Sequence, residues 1–242
     1  MLDQTNASEY FDKFDAILKE EWQAILSKSK LVNEIKTGCC DKSLYASYLI
    51  ETFHYTSHNA KNQALVVQNI TESTPSNINY MKACLKHAFE EAGHELMAFH
   101  DLKALGYADI KIQDLPAPLT ATEALIAYLY RVSTTGNPVQ RLGYSYWAEG
   151  SYAYFGDVLA TAARQMQIPK KAMTFFIEHG EIDAKHIEEI KETMSKICKS
   201  NAEWESAESV MLSSLRLTGA MLDDVHTRWL DHCNGKIVNF RF

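Results

Sequence analysis

The chain has 242 residues, 46% hydrophobic and 23% charged, a balance that supports one packed core and excludes a disordered polypeptide. A formal charge of -7 at pH 7 and a sequence pI near 5.7 provide no basic stripe for a phosphate backbone, so no nucleic acid is expected as a partner. No apolar run approaches the roughly 18 residues a membrane span needs, and the first residues lack the basic and apolar regions of a secretory leader. The expectation is therefore no membrane partner, a cytoplasmic location and one domain over residues 1–242.

Ten glycines and five prolines interrupt the chain. The stretches between them repeat apolar residues at three- and four-residue spacing, the period of a helix rather than a strand. A first helix is expected over 8–32, where Phe11, Phe14, Leu18, Trp22 and Ile25 form one stripe. The segment from Thr37 to Asp41 ends it, and Asp41 is placed to cap a second helix over 42–70. A loop over 71–76 leads to a third helix over 76–105, closed by Gly106 in the left-handed region. Pro116 and Pro118 punctuate the next connector, after which Thr120 and Glu123 have the spacing of a capping box for a fourth helix. A fifth is expected over 139–166, bent at Gly143 or Gly156. Pro169 suits the first turn of a sixth over 169–199, and the last covers 202–232. Only the segment 236–240 carries a strand signal. Seven helices, most of them long, imply an all-α bundle.

Five cysteines, at 39, 40, 84, 198 and 233, have no CxxC or zinc-knuckle spacing and read as reduced thiols. Metal-binding chemistry lies elsewhere. At about 100° per residue, His179, Asp183 and His186 of the sixth helix fall within roughly 60° of one another and make one ligand face. His87, Glu91 and His94 have the same i, i+4, i+7 spacing in the third helix. Glu90, three residues after His87 and four before His94, also reaches that side, and Glu91 is the preferred of the two. Glu149 stands among Tyr144, Tyr146, Trp147, Tyr152 and Phe155, where a buried carboxylate needs neutralising and a cation is the economical means. Three helices thus offer mixed imidazole and carboxylate ligands, the inventory that suits a pair of iron or manganese ions better than zinc or magnesium. A lone histidine on an amphipathic helix is more often a hydrogen-bonded structural residue, so His87 counts as a ligand only in this company. Glu51, His54 and His58 form a further set at helical spacing, for which a supporting or substrate-pocket role is expected.

Glu51-Thr-Phe-His-Tyr-Thr56, then His87-x2-Glu90-Glu91-x-Gly93-His94-Glu95 with Asp101, Leu102, Leu105 and Gly106, then Glu149, then His179-x3-Asp183-x2-His186 resemble, in kind and order, the iron-containing redox enzymes known as heme-oxygenase-like diiron oxidases. These are related to the TenA and pyrroloquinoline quinone synthase proteins. The resemblance spans about residues 45–190 and is most specific in its last motif. It implies a seven-helix, heme-oxygenase-like bundle with two iron ions held by Glu91, His94, Glu149, His179, Asp183 and His186, the carboxylates of Glu91, Glu149 and Asp183 sharing in the chemistry. It implies a non-heme oxidase or oxygenase whose partners are dioxygen and a small organic substrate, a fatty acid, an amino acid or similar. His87 and the doubled Glu90-Glu91 depart from a uniform pattern, since members space these ligands differently. Two other readings stand beside it: a cofactorless TenA-like hydrolase or quinone-synthase-like oxidase on the same scaffold, and a non-catalytic helical protein that binds a small molecule or partner. Long amphipathic helices are compatible with a homodimer.

Overall fold

A computed structural model describes residues 4–236 and, within them, the side chains of 7–177 and 185–236. Every regular element in this range is helical, as the spacing of the apolar residues predicts. The seven expected segments are present, but most are broken into shorter pieces. The first divides at Ser29 into α1 (Gln4–Lys28) and α2 (Lys30–Thr37), the Ser29 hydroxyl accepting from the Val32 amide. The second divides at Ser57 and His58 into α3 (Lys42–Thr56) and α4 (Asn59–Leu65). Asp41 caps α3 as expected, its Oδ1 accepting from the Ser43 amide at 2.9 Å.

The third segment becomes α5 (Pro75–Glu90) and α6 (Glu95–Leu105). The fourth is α7 (Thr120–Thr134). Its cap corrects the expected box from Thr120 and Glu123: the helix begins at Thr120, and distant carboxylates do the capping. Glu51 Oε2 accepts from the Leu119 amide at 2.9 Å and Asp224 Oδ2 from the Ala121 amide at 3.0 Å. Fixed tertiary acceptors satisfy the orphan amides a local box would otherwise serve. The fifth segment breaks at Gly150 and Ser151, not at Gly143 or Gly156, giving α8 (Leu142–Gly150) and α9 (Tyr152–Gln165). Pro169 precedes a short turn rather than opening the long helix; that helix, α10, spans Thr174–Ile197. The last is α11 (Asn201–Cys233). The expected strand signal falls almost wholly outside the described residues.

Helix α11 is the spine. Its apolar residues at three- and four-residue steps, among them Trp204, Ala207, Met211, Leu215, Leu222 and Trp229, are buried, and the helix packs on α8, α7, α3 and α1. Gly143 is required at the α8 crossing, because a Cβ there would lie 1.8 Å from the Ala207 carbonyl oxygen. Trp147 Nε1 donates to Ser214 Oγ at 2.7 Å and fixes α8 rotationally on the spine. On its other side α8 meets α10, which also packs on α5 and α6. The three segments carrying the ligand motifs are therefore neighbours. Among the described residues no helix is long and apolar enough to cross a membrane.

Candidate metal centre and its chamber

The break between α5 and α6 builds one wall of the site. Glu91 follows the last residue of α5, and Gly93 has φ +99°, a backbone conformation that disfavours any side chain. The Glu95 carboxylate accepts from the Gly93 amide at 3.1 Å and holds the turn. His94 thus stands beside Glu91 through a tight turn, with Nδ1 3.2 Å from Glu91 Oε1, and not through the continuous helical stripe that the sequence suggests. His87 remains on α5, one turn before Glu91.

Glu149, on the last turn of α8, is where the helices converge. Its Oε1 lies 3.5 Å from His87 Nε2, and its Oε2 lies 3.0 Å from His186 Nδ1 on α10. The His87 and His186 rings are 5.4 Å apart. One ligand atom each from His87, Glu91 and Glu149 fall within 4.8 Å of one another. Glu91 and Glu149 are only 5% and 9% exposed. Glu90 sits at the edge, 3.8 Å from His186 Nε2 and 3.6 Å from Lys86 Nζ. His179 and Asp183 belong to α10, but their side chains lie outside the described residues.

The environment divides the three imidazoles. Hydrogen bonding to Glu91 raises the pKa of His94, and hydrogen bonding to Glu149 raises that of His186. Burial lowers that of His87, despite the nearby carboxylates. Carboxylate neighbours stabilise an imidazolium, whereas loss of water disfavours it.

Two residues with no part in the sequence reading complete the site. Asn59, at the start of α4, donates from Nδ2 to Glu91 Oε2 at 3.2 Å and accepts at Oδ1 from Arg141 Nη2 at 3.4 Å. Arg141, 1% exposed, also donates to Asn62 Oδ1 and Ser145 Oγ and lies over the Tyr144 ring. An arginine entering an almost wholly apolar helix was the available signal. Asn59 carries none, since its role depends on the break after Ser57. His54 and His58 do not reach the site as expected: His54 Nε2 bonds the Pro116 carbonyl and His58 Nδ1 the Tyr130 hydroxyl. Glu51 pairs with Arg228 at 2.9 Å. Glu51 and His54 tie down the proline-containing connector, whereas His58 bonds to α7.

Glu91 and Glu149 also border a cavity of about 100 Å³ lined chiefly by aromatic rings, including Trp22, Tyr48, Trp147, Phe155 and Phe176. No cysteine lines it among the described residues.

Helix order, packing and the placement of the site define a heme-oxygenase-like helical protein. Residues 46–217 match the family described as iron-containing redox enzyme, and the chain belongs to that family. Similar solved structures include a domain of unknown function with a heme oxygenase-like fold from Shewanella denitrificans, at 43% identity over 96% of this chain and 98% of that one, with a TM-score of 0.89. A TenA homologue from Pseudomonas syringae pv. tomato is 14% identical over 94% and 98% of the two chains, with a TM-score of 0.73. Another from P. horikoshii is 14% identical over 89% and 97%, with a TM-score of 0.67. At such identity the TenA homologues share the fold alone. No curated protein matches the chain.

Proposed function

We propose that this protein is a non-heme diiron oxidase or oxygenase that uses dioxygen to oxidise a small organic molecule held in the aromatic chamber. The observation that carries the reading is the convergence of His87, Glu91 and Glu149 donor atoms within 4.8 Å, with His94 and His186 in contact with the two carboxylates. The donor set fits iron. Two carboxylates are withdrawn from water beside imidazoles, an arrangement that is costly without added positive charge, and mixed nitrogen and oxygen donors suit a redox-active transition metal.

Glu91, His94, Glu149 and His186 would hold the metal, with His87 and Glu90 adjoining and His179 and Asp183 added on the strength of the family resemblance. Bound iron would supply the redox equivalents for reducing dioxygen. The chain's own part is to orient and enclose. Asn59 holds the Glu91 carboxylate in one rotation, the kind of outer contact that sets ligand geometry. The aromatic walls take up an apolar substrate and keep bulk water from the reacting end.

A hydrolase working through an activated cysteine draws no support from this geometry. Cys84 and Cys198 lie outside the chamber, and burial pushes their thiols up to about 11 and about 12, away from the thiolate such chemistry needs.

Anaerobic titration with ferrous ion tests the proposal. Two ions per chain are expected for the wild type, with loss of at least one in Glu149→Ala and in Glu91→Ala. Equal iron retention by wild type and both variants overturns it. Oxygen uptake by the ferrous protein should then depend on an added substrate.

A further inference from the structure

We propose that the metal ion reaches its centre through a polar recess between α5 and α10, where an entering divalent cation displaces the Lys86 ammonium from the mouth. This rests on the reading of the imidazole and carboxylate cluster as a metal centre and adds to it the path of the ion. Among the described residues, none lines both this recess and the aromatic chamber.

The outer part is a groove of about 330 Å³ that runs from Ser76 and Lys196 to Lys86, and the inner part is a cavity of about 50 Å³ that ends on His87 and Ser145. Tyr80, Ala83, Lys86, Glu189 and Thr193 line both, so one leads into the other. Their three- and four-residue steps place them on one face of α5 and one face of α10, and these two faces are the walls. At the inner end His87 Nε2 stands 3.5 Å from Glu149 Oε1, and Ser145 precedes Glu149 on α8 by one turn. The metal centre therefore borders the chamber through Glu91 and Glu149 and the recess through His87.

A divalent cation gives up water only where other donors replace it. Glu189 and Glu90 both hold the Lys86 ammonium, Glu90 at 3.6 Å. Glu90 Oε2 in turn lies 3.8 Å from His186 Nε2, and His186 Nδ1 lies 3.0 Å from Glu149 Oε2. These groups make a run of oxygen and nitrogen donors from the surface to the centre. The ammonium sits between the first two carboxylates, where a dication would be held. Its side chain is 49% exposed, and ion pairs this open are weak enough to exchange. Farther in, Gln63 is 3% exposed, and its Oε1 has no hydrogen-bond partner among the described residues. A buried oxygen of this kind can receive the ion or its remaining water. The Cys84 thiol in the same wall does not trap the ion, because burial pushes it up to about 11 and keeps it protonated. The chamber, lined largely by rings, replaces less of the ion's hydration.

Stopped-flow mixing of the metal-free protein with cobaltous ion tests the route. Trp147 stands two residues from Glu149, so quenching of its fluorescence reports arrival of the ion without any turnover. Ala83→Phe and Thr193→Phe narrow the recess. Whichever keeps the wild-type unfolding temperature should load and release cobalt at least about tenfold more slowly at unchanged equilibrium affinity, because an obstacle on the path slows both directions equally. Lys86→Gln removes the competing cation and should load about threefold faster, whereas Lys86→Arg should not. Leu159→Trp, which fills the chamber instead, should load at the wild-type rate.

Wild-type loading in a folded recess variant overturns the proposal, as does loading slowed equally by Leu159→Trp. Loading by Lys86→Gln that is no faster than wild type overturns it too. Failure here is separable from failure of the metal reading. Absence of saturable cobalt binding by the wild type removes the centre and the route together, whereas stoichiometric binding at rates indifferent to the recess removes the route alone.

Discussion

Asn59 links two charged groups that the fold keeps apart, offering its amide nitrogen to Glu91 and its amide oxygen to Arg141. Deleting it leaves a buried carboxylate and a buried guanidinium each short of a partner. Asn59→Ala should therefore lower the stability of the metal-free protein by about 1–3 kcal/mol, the cost of unsatisfied buried groups, measured by denaturant unfolding. It should also weaken ferrous binding by about tenfold, the usual effect of losing a contact that orients a ligand. Wild-type iron affinity in Asn59→Ala would show that Glu91 does not depend on this amide. Residue type and spacing in the sequence were enough to single out His87, Glu91, His94, Glu149 and His186 for attention. They also set His54 and His58 apart from the ligands, but could not show that these two bond a carbonyl and a phenol 62 and 72 residues away instead of supporting the site.

At the scale of elements, the breaks decide where side chains go. The sequence shows a third helix with one uninterrupted stripe, yet the chain turns at Gly93 and brings His94 back onto Glu91. Apolar periodicity reports which face is buried and is insensitive to a short turn that preserves it. Contact between α8 and α11 depends equally on one residue. Gly143→Ala places a methyl group against the Ala207 backbone, and because neither helix backbone can yield cheaply the expected loss is about 1–3 kcal/mol or more, read as a lower denaturation midpoint. Caps show both outcomes. Asp41 was legible because its cap is local: burial raises its pKa, but the Ser43 donors and Trp229 outweigh this and bring the carboxyl below its ordinary value. A depressed carboxyl contributes stability above its unfolded pKa and loses it as pH falls through the folded one. Asp41→Ala should cost about 1 kcal/mol near neutral pH, and the gap from wild type should close in acid. A constant gap across that range would show that the charge plays no part. The start of α7 was not legible, since Glu51 and Asp224 reach it from far along the chain.

Across the whole molecule, α5, α8 and α10 bring together ligand residues that span positions 87 to 186. A metal held there ties three distant parts of the chain, and it binds the folded state in preference to the unfolded one. At a free ferrous concentration of about 100 times the dissociation constant, the gain should be about 2.7 kcal/mol. Calorimetry should show a higher unfolding temperature on adding ferrous ion anaerobically, reversed by a chelator and smaller in Glu149→Ala. A shift of equal size in that variant would locate the stabilising ion at another place.

Composition and periodicity by themselves determined the all-α class, the positions of the seven helical segments and the inventory of imidazoles and carboxylates. These are properties of neighbouring residues, set by side-chain size, polarity and helical geometry. Tertiary structure alone decided which carboxylates share a volume with which histidines, that Arg141 and Asn59 stand behind Glu91, and that the adjoining chamber is walled largely by aromatic rings. Each of these depends on the angle at which one helix crosses another, and that angle is settled by contacts such as Gly143 on Ala207 between residues more than 60 positions apart.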